Sequence, residues 1–100
     1  MSTRAQRIKN LNDLRRYVKK TLCNDNELEL DAFPMTERIL VRGGKPCGLL
    51  FCLHGPRLVM FSAIWETQHN TVLFYGAGGE RLRKIQLSEV PALEMTASAA

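Results

Sequence analysis

The chain of 100 residues has the usual size of a single domain, and its composition, 45% hydrophobic and 24% charged, is that of an ordinary globular protein. Its longest mainly apolar stretch, Leu58 to Trp65, has eight residues, whereas a membrane-spanning helix needs about twenty. The sequence therefore predicts no membrane contact, and the net charge of +4 leaves protein and nucleic-acid partners open.

The charge is unevenly distributed along the chain. Residues 1–20 carry seven basic residues and one acid, whereas residues 21–37 carry five acids and no base. A basic block followed by an acidic block is either a partner-binding surface or a pair of segments that neutralise each other in the fold. The sequence alone leaves both alternatives open.

An amphipathic helix is predicted near the N terminus. Four apolar residues between Leu11 and Leu22 recur at spacings of three and four, so they share one side of a helix that ends near Cys23. Asn10 is a favourable N-cap. Cys23 falls within the basic arc of the helical wheel, so we expect its thiol to be exposed. Residues 1–9 are expected to be flexible.

From residue 37 onward the pattern predicts an antiparallel β-meander. Strands are expected over residues 47–54, 57–66, 71–75 and 81–87. The turns between them are short, and short turns join antiparallel neighbours. Residues 36–43 fit either a first strand or a short helix, and residues 25–36 are expected to be a connection with one short strand.

The predicted fold class is thus α+β, with the N-terminal amphipathic helix packed on a four- to five-stranded antiparallel β-meander. One domain is expected over residues 10–90, followed by a flexible tail over residues 91–100.

The two central strands are apolar on both faces, because odd- and even-numbered positions alike carry apolar residues. A tight hairpin turn at Gly55 and Pro56 is expected to join them. One helix covers only one face of a sheet, so sheet curvature, residues 25–36 or a second protein must cover the other. This excess of apolar residues on the sheet predicts a non-enzymatic protein-interaction module. The partner is either a second copy of the chain, which would form a homodimer, or an unknown protein. The expected interface comprises Leu50, Val59, Phe61, Ala63 and Trp65, or, on the opposite face, Leu49, Phe51, Met60 and Ile64.

The alternative function is nucleic-acid association through the basic helix, because a row of cations can follow phosphates. A merely solvated helix face is the competing interpretation. The candidate phosphate contacts are Lys9, Arg15, Arg16, Lys19 and Lys20.

No pattern in the chain points to catalysis, a cofactor or a metal. Cys52 and His54 share a strand face, but they lie about 7 Å apart along the strand and lack the paired spacing of a metal site. The glycines between positions 76 and 79 lack the Lys-Ser/Thr ending of a phosphate loop. We therefore predict no enzyme. The cysteine count of three is odd, which favours reduced thiols and a cytoplasmic location.

Overall fold

The computed structural model describes residues 8–88 and residue 91. It has one helix and five strands, and the sheet order is β1-β2-β3-β4-β5 with every neighbouring pair antiparallel. The elements are α1 (Leu11–Asp25), β1 (Met35–Arg42), β2 (Lys45–His54), β3 (Met60–Glu66), β4 (Thr71–Tyr75) and β5 (Arg81–Gln86). The predicted α+β class is confirmed, with five strands in the meander.

Helix α1 begins where the sequence indicated. The Asn10 side chain accepts a hydrogen bond from the backbone N–H of Asp13 at 2.8 Å, which satisfies one of the unpaired donors of the first turn. The helix continues to Asp25, two residues past Cys23, because Asn26 closes it. The side-chain amide of Asn26 donates to the carbonyl of Leu22 at 2.8 Å.

The connection between α1 and β1 packs against the helix side of the sheet. No strand forms between residues 26 and 34, where Glu27 and Asp31 adopt positive φ angles of 56° and 70°. The backbone N–H of Leu28 donates to the carbonyl of Cys23 at 2.8 Å, and Leu28 and Phe33 pack against the core. The prediction of a short strand in this connection is therefore wrong. Of the two alternatives for residues 36–43, the strand is confirmed, because β1 spans Met35–Arg42.

The hairpin between β2 and β3 differs from the expected one in its turn. His54 pairs with Met60, so five residues separate the strands, and they include a single 3-10 turn at Pro56–Leu58. The predicted two-residue turn would pair His54 with Arg57. The difference of three residues is odd, and an odd shift moves every side chain of one strand to the other face.

The core lies between α1 and one face of the sheet. Leu14, Val18 and Leu22 of the helix are at most 1% exposed. They lie in one buried cluster with alternate residues of the strands: Leu49, Phe51, Leu53, Phe61, Ala63, Trp65, Val72, Phe74 and Ile85. Tyr17 adds an edge-to-face contact with Phe74, with ring centroids 6.2 Å apart.

Two residues from the predicted flexible ends, Ile8 and Pro91, lie in the interior. Ile8 is only 2% exposed and belongs to the core cluster, and Pro91 is fully buried. Residues 1–7 and 92–100 of the predicted flexible ends lie outside the described residues. Within the described part, no helix is long and apolar enough to cross a bilayer.

Candidate interaction surface on the outer sheet face

The sheet face opposite α1, called the outer face below, carries an apolar row across its three central strands. Leu50 pairs with Ile64, and Ile64 pairs with Leu73. Directly opposed residues of neighbouring strands share a face, and the residues that flank these three in sequence point into the core. All three side chains are half-buried, and none belongs to the core cluster.

A cation ends this row on each edge strand. Arg38 of β1 pairs with Leu50, and Lys84 of β5 pairs with Leu73. Both side chains are exposed, and neither forms an ion pair with another described residue. We call the five residues Arg38, Leu50, Ile64, Leu73 and Lys84 the outer row.

A shallow depression of about 610 Å³ lies beside the outer row, between the β2–β3 and β4–β5 turns. Its lining comprises Leu50, Cys52, Leu58, Val59, Met60, Ser62, Gly76, Ala77 and Gly79. Leu58 is fully exposed and Met60 is 49% exposed. Apolar surface of this kind, next to further apolar side chains, is typical of protein contact sites.

The Leu58 side chain is presented by an unusual backbone. Arg57 and Leu58 have φ angles of 58° and 64°, and two successive non-glycine residues in this left-handed region cost conformational free energy. The Gly55 N–H donates to the Val59 carbonyl at 2.8 Å, and this bond closes the turn. The turn therefore holds a fully exposed leucine at the rim of an apolar surface.

The residues predicted for the interface do not share one face. Phe61 is 8% exposed, whereas Ala63 and Trp65 are fully buried under α1. Leu50 lies on the outer face, and Val59 both packs against the core and lines the depression. The second predicted set is divided in the same way, because Leu49 and Phe51 are buried whereas Met60 and Ile64 lie on the outer face.

The basic face of α1 is partly neutralised by its own chain. Arg15 makes a bidentate ion pair with Glu37, with N–O distances of 2.7 and 2.8 Å, and this hydrogen bonding raises the pKa of the Arg15 guanidinium. Lys19 contacts Asp31 at 3.1 Å.

The other three predicted phosphate contacts are less engaged. Arg16 lies 3.6 Å from Asp13, and 76% of its side chain is exposed. Lys9 and Lys20 are exposed and make no ion pair with the described residues.

The remaining chemistry-bearing side chains are dispersed. His54 Nε2 lies 2.9 Å from the Thr36 hydroxyl, and His69 Nδ1 lies 3.2 Å from a Glu66 oxygen. Among the described residues, no three His, Cys, Asp or Glu side chains are grouped so that they could hold a metal ion. Cys23, Cys47 and Cys52 are all unpaired thiols.

Sequence reasoning missed Arg38, Leu73 and Lys84 as members of this surface, together with Leu58. The hydrophobicity of Leu73 is visible in the sequence, but its face depends on the strand register. For Arg38 and Lys84 the available signal was their position in the sequence. Each lies at the centre of an edge strand and therefore flanks the outer-face residues of the central strands.

Comparison with known proteins gives no relative from which a function could be inferred. No family model matches the chain, and neither the curated proteins nor the solved structures contain a match. The case for a function therefore rests on the surface of the molecule.

Proposed function

We propose that the protein is a non-enzymatic interaction module that binds other proteins through its outer face. The observation that carries the proposal is the apolar part of the outer row. Leu50, Ile64 and Leu73 form a continuous apolar surface across the three central strands, and the one described helix covers the opposite face. Water contact with such a surface is unfavourable, and a partner that covers it gains roughly 25 cal/mol per Å² of apolar area.

The homodimer belongs to the same proposal as the state of the isolated chain. In purified protein a second copy of the chain can occupy the outer face. A cytoplasmic location also belongs to the proposal, because the three described cysteines are all free thiols.

The decisive experiment replaces two apolar residues of the outer row. The I64T/L73T variant keeps strand-compatible side chains and removes much of the apolar surface. We expect its stability to change by about 1 kcal/mol or less per site, because neither side chain lies in the core. Its binding of protein partners should be lost, as measured by quantitative mass spectrometry of the proteins retained by the immobilised chain.

Two controls make the result specific. V72T places a hydroxyl at a fully buried position next to Leu73 and should lower the free energy of unfolding by about 1–3 kcal/mol. L30T removes a 48% exposed leucine outside the sheet and should retain the same partners as the wild type. If I64T/L73T and L30T retain identical proteins, the outer face is not the binding surface.

The alternative, nucleic-acid association through α1, has weaker support. Two of its five candidate cations, Arg15 and Lys19, form ion pairs with Glu37 and Asp31. Of the other three, Arg16 has only a long contact with Asp13, and Lys9 and Lys20 form no ion pair with a described residue.

A further inference from the structure

The inner face indicates how this sheet binds a helix. Besides its apolar stripe, α1 is fixed at both sides by ion pairs to the edge strands. Arg15 pairs with Glu37 of β1, and Asp25 pairs with Arg83 of β5 at 2.9 Å. The helix thus lies over the central strands and forms an ion pair with each edge strand.

The outer face repeats this layout one residue further along each edge strand. Arg38 follows Glu37, and Lys84 follows Arg83, so each points to the opposite side of the sheet. Four strand spacings of about 4.8 Å place the two cations about 19 Å apart. The apolar residues between them span about 10 Å, which matches the diameter of about 10–12 Å of an α-helix with its side chains.

The charges distinguish the outer face from the inner one. On the inner face the edge residues are one acid and one base, and α1 supplies their partners. On the outer face both are cations with no acidic partner among the described residues. The carboxylate at an outer-face position, Glu66, already contacts His69. A complementary ligand must therefore bring carboxylates to both edges.

We propose that the outer face binds an amphipathic α-helix of another protein, with an apolar stripe and acidic residues on both flanks. The inference rests on the proposed function and names the partner of the same surface. The stripe contacts Leu50, Ile64 and Leu73, and the flanking carboxylates pair with Arg38 and Lys84. The depression beside Leu58 accepts one further apolar side chain at the end of this helix.

A second copy of the chain is a poorer occupant than such a helix. Its outer face brings the same two edge cations, Arg38 and Lys84, and the carboxylate of Glu66 in its outer-face strand positions already contacts His69, so the edges repel. Its own helix is not available, because the apolar stripe of α1 is fully buried. The homodimer is consequently the weaker state, and an acidic helix displaces it.

The test uses three synthetic peptides of about five helical turns and equal length. The first has a leucine stripe with glutamates on both flanks, the second has the same stripe with lysines, and the third is a scrambled version of the first. Fluorescence anisotropy measures their affinity for the full chain at low and high salt, and amide NMR shifts locate the contact.

We expect the glutamate peptide to bind about tenfold or more tightly than the lysine peptide, with the difference shrinking at high salt. The amides of Leu50, Ile64 and Leu73 should shift. The R38E/K84E variant should reverse the preference. K9E/K20E makes the same change in net charge on the helix side and should leave the preference unchanged. Circular dichroism melts confirm that each variant is folded.

Any of the following peptide results overturns the inference: equal binding of the two flanked peptides, equal binding of the scrambled peptide, or shifts confined to the α1 side. Outer-face shifts that depend on protein concentration alone, with no effect of any peptide, identify a second copy as the occupant and also overturn it. If partners are lost with I64T/L73T but the glutamate peptide does not bind, the proposed function stands and the helical partner is wrong.

Discussion

Cys23 shows how strongly one connection can alter the exposure of a side chain. Its position on the helical wheel indicated an exposed thiol, but the side chain is 2% exposed. The chain turns back after α1, and the N–H of Leu28 bonds the Cys23 carbonyl, so the following connection covers this end of the helix. Burial raises the pKa of the Cys23 thiol, nearby Lys19 lowers it, and Asp31 raises it.

The expected order of alkylation follows from this burial. Cys47 and Cys52 are half-exposed and should react before Cys23, because Cys23 is both inaccessible and poor in thiolate at neutral pH. Mass spectrometry after brief alkylation of the native protein measures the order. Denatured protein is the control, since all three thiols should then react alike. Early labelling of Cys23 would contradict its burial.

The same thiol predicts a pH dependence of stability. A thiol pKa raised by folding means that the folded state binds its proton more tightly than the unfolded state. The associated stability is complete below the unfolded pKa and is lost as the pH rises through the folded pKa. C23A should therefore reduce the loss of stability in the alkaline range, measured by denaturant unfolding at neutral and alkaline pH.

At the scale of the element, α1 is defined by what holds its two sides. Arg15 and Asp25 connect it to opposite edges of the sheet, and Lys19 connects it to the acidic connection. The acidic block thus neutralises part of the basic block within the fold, which was one of the two alternatives that the charge distribution left open. Such partly exposed pairs contribute about 1 kcal/mol or less each.

These ion pairs limit any binding of nucleic acid through α1. If Arg15 and Lys19 stay paired, three cations remain, and the salt dependence of duplex binding has a log–log slope no steeper than about −2.7. R16E/K20E should remove the binding while leaving the melting temperature nearly unchanged, since both side chains are exposed. Filter binding over a salt series measures the slope. A slope near −4.5 would mean that all five cations contact phosphates.

Sequence reasoning found most of the elements because each rests on a local signal. The helix follows from apolar spacing and Asn10, and the strands follow from apolar runs between turn residues. Register carries no comparable signal. The β2–β3 turn contains two residues with positive φ at Arg57 and Leu58, which no glycine marks, so the sequence indicated a tighter turn at Gly55 and Pro56.

The turn error explains the misgrouped interface. If His54 were paired with Arg57, Leu50 would be paired with Phe61 and would lie on the same sheet face. Because His54 is paired with Met60, Leu50 is paired with Ile64 instead. The surplus of apolar surface was visible in the composition of the strands, but the residues that form it could be assigned only after the turn length was known. The existence of an apolar sheet surface could therefore be predicted from the sequence, but the residues that form it could not.

At the scale of the whole molecule, the described residues cover the sheet asymmetrically. The helix and the connection from residue 26 to residue 34 both lie on the inner side, where they enclose the core. The outer face keeps an apolar centre between two cationic edges. Such a face attracts another copy through its centre and repels it through its edges, so salt should control the balance between the two effects.

We expect the isolated chain to dimerise weakly, and more strongly as the salt concentration rises. Screening removes the repulsion between the cationic edges of two copies, whereas the apolar attraction of Leu50, Ile64 and Leu73 remains. R38E should strengthen the dimer at low salt, because each copy then presents an acid at one edge and Lys84 at the other. I64T/L73T should remain monomeric at every salt concentration. Light scattering over a range of protein and salt concentrations measures the mass. A dimer that weakens with salt, or one that persists in I64T/L73T, would place the contact between copies elsewhere on the molecule.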